Sequence, residues 1–140
     1  MTFRYQRIPF HGHDPRKPLI ARPYIPVYLH GNGEQTKSPY YALLDSGADK
    51  VLFPADLARE AGISDVNAGG SVESAIGIGG QRVTINYYNL MLQVLGDERK
   101  LPIEVGFSEH IFVPLLGRSF FIHFTHVVFS EGKEMVELKS

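Results

Sequence analysis

A small, mostly β domain, built as a barrel or sandwich with one or two short helices, is the architecture this sequence predicts. Three observations lead there. The chain has 140 residues, which suits one globular unit at the usual ~100 to 200 residues per domain. Apolar residues recur at every second position in short runs, the period of a strand with one buried face. Glycine, proline, asparagine or aspartate punctuates those runs at close spacing, as in all-β domains.

The elements follow in order. Five of the nine prolines fall within the first 26 residues; each fixes φ and removes a backbone donor, so 1–21 is expected to be an extended, proline-rich arm. Residues 22–140 are expected to form the domain. From Tyr24, Ile25, Val27 and Leu29 share one strand face, with Tyr28 and His30 on the other, and 31–38 reads as a polar turn. Tyr40 to Leu44 is apolar throughout, which predicts a strand buried on both faces that runs straight into Asp45. A short strand over 51–53 precedes Pro54 and Gly62, which bracket one short helix over 55–61 in the positions those residues favour at helix starts and ends.

Val72 to Ile76 and Arg82 to Leu95 predict a long hairpin with glycines at its tip. Leu101, Ile103 and Val105 make the next strand, and 113–116 is a buried run closed by Gly117. Arg118 to Phe124 has no breaker, so two helical turns are expected there. The tail reads as a last hairpin, 127–129 with 135–138, around Glu131 and Gly132. Solenoid repeats and low-complexity tracts are absent from the sequence.

Composition narrows the chemistry. Fourteen basic residues against fifteen acidic ones leave a net charge of -1, no field for holding phosphates, so nucleic acid is not an expected partner. With no cysteine, disulfides, thiolate nucleophiles and cysteine-ligated zinc are excluded. No run approaches the ~20 apolar residues of a membrane span, and a soluble, cytoplasmic protein is expected. His11 and His13 stand in the arm without the further ligands of a closed metal site, so no metal and no cofactor are expected. Gly77-Ile78-Gly79-Gly80 is no dinucleotide fingerprint, because no helix follows it. Ser46 lacks the strand-to-helix elbow of an activated serine.

Asp45 carries the chemical interest. A carboxylate delivered by an apolar strand must be paired or put to use, because desolvation disfavours its charge. Alone, Asp45-Ser46-Gly47 between strands is more often a turn than a site. The order of three segments is more specific: Ala42-Leu43-Leu44-Asp45-Ser46-Gly47-Ala48-Asp49, then the hairpin tip Ala75 to Gly80, then Pro114-Leu115-Leu116-Gly117-Arg118. From about Arg22 to Phe124 this constellation resembles the retropepsin-like aspartic proteases, the retroviral proteases and their bacterial relatives.

The resemblance implies a closed retropepsin-like β-barrel or sandwich subunit with a glycine-tipped flap hairpin. It implies an aspartic endopeptidase acting on peptide or protein substrates as a homodimer, with Asp45 of each chain in a catalytic dyad that shares one proton. Ser46 and Gly47 would support the site. Ala48 and Asp49, with Ile76, Gly77, Ile78, Gly79 and Gly80 of the flap, would bind substrate. Arg22 and Arg118 fall where the family places the arginine partners of Asp49, at the dimer interface. Lys50 replaces a common acid and should alter pocket charge but not the dyad. Retroviral subunits seal their dimer with interleaved termini, whereas this chain adds an arm before Arg22 and a hairpin after Phe124. A non-catalytic peptide-binding or scaffold module of the same fold is the alternative, as is a domain active only within a larger assembly.

Overall fold

Ile25, Val27 and Leu29 are fully buried, so the alternation that begins at Tyr24 does set the inner face of a strand. The computed structural model describes residues 1–9, 16, 19–76 and 79–140. Its strands are β1 (Thr2–Arg4), β2 (Gln6–Ile8), β3 (Ile20–Arg22), β4 (Tyr24–Gly31), β5 (Glu34–Gln35), β6 (Tyr40–Leu44) and β7 (Val51–Pro54). Then come β8 (Ser71–Ile76), β9 (Arg82–Val94), β10 (Leu101–Ser108), β11 (Leu115–Leu116), a one-turn helix α1 (Arg118–Phe121), β12 (His126–Ser130) and β13 (Met135–Lys139).

The largest sheet runs β5-β4-β6-β11-β7-β10-β9-β8 and closes because β4 also pairs with β9, from Val27 opposite Val94 to His30 opposite Met91. Six strands, from β4 through β6, β11, β7 and β10 to β9, therefore form a closed barrel, which removes the open edges a flat sheet would carry. Phe53, Phe107, Leu92, Leu116 and Phe120 fill it and are essentially inaccessible. Phe53 and Phe107 meet as tilted rings with centroids 6.4 Å apart, a favourable aromatic geometry. Among the described residues β8 pairs with β9 alone, from Ser71 opposite Tyr87 to Ile76 opposite Arg82, and so stands off the barrel as a hairpin.

Local expectations gave way in several places, among them the polar turn expected over 31–38, where Glu34 and Gln35 pair with Gly31 and His30. The helix expected over 55–61 is two successive 3-10 turns, Ala55–Leu57 and Arg59–Ala61, with Ala58 donating to Ala55 and Ala61 to Ala58. Seven residues are too few to offset helix nucleation, and Gly62 at φ 84° ends the segment. α1 likewise stops at Phe121 and continues as i to i+3 turns through Phe124. β6 is not buried on both faces: Ala42 and Leu44 point inward while Tyr41 is half exposed. Its apolar run is an inner face of Tyr40, Ala42 and Leu44 plus an outer face of Tyr41 and Leu43, as the barrel wall requires.

The arm and the tail meet. β1 pairs antiparallel with β13, and β13 with β12, in a separate three-stranded sheet; β2 pairs with β3. Tyr5 is buried beneath this junction and donates a 2.8 Å hydrogen bond to the Glu131 carboxylate. No helix among the described residues is long and apolar enough to cross a membrane.

Candidate active site

Strand β6 ends where β11 begins to hold it. β11 lies between β6, to which it is parallel, and β7, to which it is antiparallel, with Leu116 opposite both Leu44 and Val51. The Asp45 amide donates to the Leu116 carbonyl at 3.0 Å, and the Leu44 amide to Pro23 at 3.0 Å. The carboxylate is thus delivered from a fixed backbone, wedged between two other segments of the chain.

The loop that follows is closed by its own aspartate. Oδ1 of Asp45 accepts the Gly47 amide at 2.9 Å, and its carbonyl accepts that of Ala48 at 3.2 Å, so Asp45 caps the turn it begins. It is half-buried, less deeply than an all-apolar strand suggested, while Ser46 and Gly47 are exposed. Three further bonds clamp the loop to the α1 entry: Gly117 donates to Lys50 at 3.1 Å, Arg118 to Ala48 at 2.8 Å and Ser119 to Asp49 at 2.9 Å. A Cβ on Gly117 would fall on the carbonyl oxygens of Lys50 and Ala48, so only glycine lets these backbones approach.

Among the described residues, the Asp49 carboxylate has no ion pair within the chain and neither has the exposed Arg118 guanidinium. Arg22 is also exposed, its guanidinium donating to the Ala21 carbonyl at 3.1 Å. Lys50 turns away from the loop, to Glu104 at 3.2 Å and to the face of Tyr87 at 5.4 Å. Its charge is therefore engaged on the barrel wall.

Across the sheet, Ile76 at the end of β8 is four-fifths exposed. Gly79 and Gly80 take φ of 95° and 78° with open space where a side chain would stand, the conformation a tight hairpin tip needs. Gly77, Ile78 and the histidines His11 and His13 lie outside the described residues. Among the described residues, no three histidine or acidic side chains gather as metal ligands would.

Sequence reading missed the segment between β10 and β11, where Val113, expected to open a buried run over 113–116, is instead exposed. Phe112 is 87% exposed there, and with Ile111, Pro114, Tyr40 and Leu57 it lines an open cleft of about 640 Å3. An apolar triplet, Ile111-Phe112-Val113, in a turn with no strand partner was the available signal, since a large exposed apolar residue asks for a ligand or partner.

Among solved structures, the chain is similar to a retropepsin-like aspartic protease from Rickettsia conorii, with a TM-score of 0.63 at 16% identity over 97% of this chain and 88% of that one. The chain has a retropepsin-like fold. The same fold relates it to the retroviral protease-like domain of Ddi1 from Leishmania major, with a TM-score of 0.55 at 13% identity over 85% of this chain and 89% of that domain. No family model and no curated protein sequence matches it. Within this retropepsin-like barrel, Asp45 and Gly117 occupy the two segments that the β6–β11 pairing brings together.

Proposed function

We propose that the chain is one subunit of an aspartic endopeptidase, whose catalytic dyad forms when Asp45 meets its copy from a second subunit. The observation that carries this reading is the anchored loop: a single Asp-Ser-Gly turn, bonded through its first amide to Leu116, within a retropepsin-like fold. One such turn per chain supplies half of a dyad, so two chains are needed.

Two carboxylates brought together cannot both ionise freely, and the pair titrates as a unit that holds one proton. The ionised member takes a proton from a water as that water attacks the scissile carbonyl. The protonated member hydrogen-bonds to the carbonyl oxygen, and a proton then passes to the leaving nitrogen as the C–N bond breaks. The exposed Ser46 hydroxyl bonds across to the second subunit's loop, and Gly47 leaves room for substrate backbone. Ala48 and Asp49 line the floor, and the unpaired Arg118 and Arg22 are available to Asp49 across the subunit interface. The β8–β9 hairpin, with Ile76 and residues 77–80, closes over the peptide as a flap and excludes water.

Asp45→Asn tests the assignment. Replacing the carboxylate removes the base, and peptide cleavage should fall at least ~100-fold while the thermal melt stays that of the parent. Cleavage undiminished in Asp45→Asn refutes it. Keeping a single proton on the dyad also calls for activity that favours mildly acidic solution; a rate that climbs steadily to alkaline pH contradicts that.

A further inference from the structure

The termini of this chain satisfy each other, and that leaves one strand edge with a definite pattern of unused groups. The Met1 ammonium donates to the Leu138 carbonyl at 2.9 Å and the Leu138 amide returns a bond to Met1 at 2.8 Å, while the Tyr5 amide donates to Glu134 at 2.8 Å. Both backbone groups of Leu138, and the carbonyl of Glu134, therefore turn toward the N-terminal segment that holds β1. Since backbone groups alternate sides along a strand, Met135, Glu137 and Lys139 turn theirs toward β12, where they face Ser130, Val128 and His126. What remains on the outer side of β12 is the N–H and C=O of Val127 and of Phe129. β12 ends its sheet, and no other described strand pairs with it.

We propose that a second copy of this chain pairs with that edge, β12 against β12 antiparallel, about a two-fold axis at Val128. The inference rests on the dimeric reading of the active site and names the surface that forms the dimer. This register matches donors to acceptors completely. Val127 of one copy exchanges two bonds with Phe129 of the other, and the symmetry repeats them, so all four outward groups on each strand are used. Registers centred on Val127 or Phe129 leave groups over; centring on Val127 would also call on the Thr125 amide, which already donates to Lys139.

The side chains suit the same axis. Val128 is more than a third exposed (36%) and would meet its own copy, and His126 would face Ser130. The edge from His126 to Ser130 carries no acidic or lysine side chain, whereas the opposite edge, β1, carries Arg4, a charge of the kind that keeps edges apart. β12 is also tied to the active-site loop. The Phe129 and Phe121 rings lie 6.2 Å apart, and Phe121 belongs to the helix entered through the Gly117 clamp. The assembled sheet would have six strands, β1-β13-β12 and their copies, with termini paired within each chain instead of interleaved.

The absence of cysteine gives a direct test. At the centre of an antiparallel pair, residues in a non-hydrogen-bonded position have Cα atoms about 4.5 Å apart, inside the roughly 4.4–6.8 Å window of a disulfide. Val128→Cys should cross-link into a covalent dimer under mild oxidation, at least ten times more than His126→Cys, and keep its peptide cleavage. Val128→Lys and Val128→Glu should each weaken the sedimenting dimer at least tenfold, and an equimolar mixture of the two should restore it. A dimer that forms normally but does not cross-link through position 128, or links equally through 126, overturns the edge while leaving the dimeric peptidase intact. A parent chain that sediments as a monomer at every concentration overturns both.

Discussion

Replacing Gly117 with alanine loads the contact on which the Asp45 loop depends. The new Cβ would stand 2.5 Å from the Ala48 carbonyl oxygen, with the Lys50 oxygen nearer still. Both are backbone atoms held by β7 and the loop, so relief requires moving chain, which in a packed interior costs about 1–3 kcal/mol. That movement also stretches the bonds from Gly117, Arg118 and Ser119 to Lys50, Ala48 and Asp49, each contributing about 1 kcal/mol. A loss of about 2–5 kcal/mol is expected, against about 5–15 kcal/mol for a whole domain. The variant should fold but melt ~7–17 °C lower. Gly47→Ala is the matched control: the nearest atom to its new Cβ is the Asp45 Oδ1, at 3.2 Å, on a side chain that can turn. It should melt within ~3 °C of the parent. Calorimetry at one fixed protein concentration compares them, because dimer dissociation makes melting concentration-dependent. Equal melting of Gly117→Ala and parent, or an equal loss in both variants, would refute the close-approach argument.

Two titrations add to this. Burial first, and then the Glu131 carboxylate, push the Tyr5 phenol up to about 12. The neutral phenol's contribution is whole below its ordinary value of 10 and is lost as pH rises through about 12. Tyr5→Phe should cost about 1 kcal/mol at neutral pH and flatten the alkaline limb of a urea-stability profile; an unchanged limb contradicts the buried-phenol account. Hydrogen bonds from Arg99 hold the Asp97 carboxyl below its ordinary 3.8. Its contribution is present above that value and is lost as pH falls through the lowered one. Asp97→Asn should therefore lower stability at pH 7 yet converge with the parent in strong acid, and a constant difference down to pH 2 would show that the Arg99 pair is not the cause.

Where the sequence was legible, it was legible through period and punctuation. Ile25, Val27 and Leu29 alternate inward as read, and β10 falls where its alternation placed it; along β9 the alternation of Val83, Ile85, Tyr87 and Met91 breaks, because the buried face passes from Ile85 and Tyr87 to Leu90, Leu92 and Val94 and leaves Met91 exposed. The segments around Asp45, the hairpin tip and Gly117 were visible as motifs. Phe112 was not, because an exposed aromatic in a turn has no period to announce it. The helix over 55–61 was overcalled, since caps at both ends do not lengthen a seven-residue segment. The half-buried setting of Asp45 was also out of reach: the run Tyr40 to Leu44 looks wholly apolar, yet Tyr41 faces outward.

By itself, then, the sequence determined most of the barrel strands and the turn at Asp45, because these depend on neighbours a few residues away and on which backbone angles each residue tolerates; glycine is required at 117, where φ is an ordinary -86°, only because the Lys50 and Ala48 carbonyls close on it in the tertiary structure. Only the tertiary structure decided that β11 slots between β6 and β7, that β4 closes the barrel on β9 and that β1 pairs with β13. Those pairings join residues distant in the chain, and a strand's alternation fixes which face is buried without specifying which edge finds a partner. For the same reason, the unused groups of Val127 and Phe129 became visible only once the termini had satisfied each other.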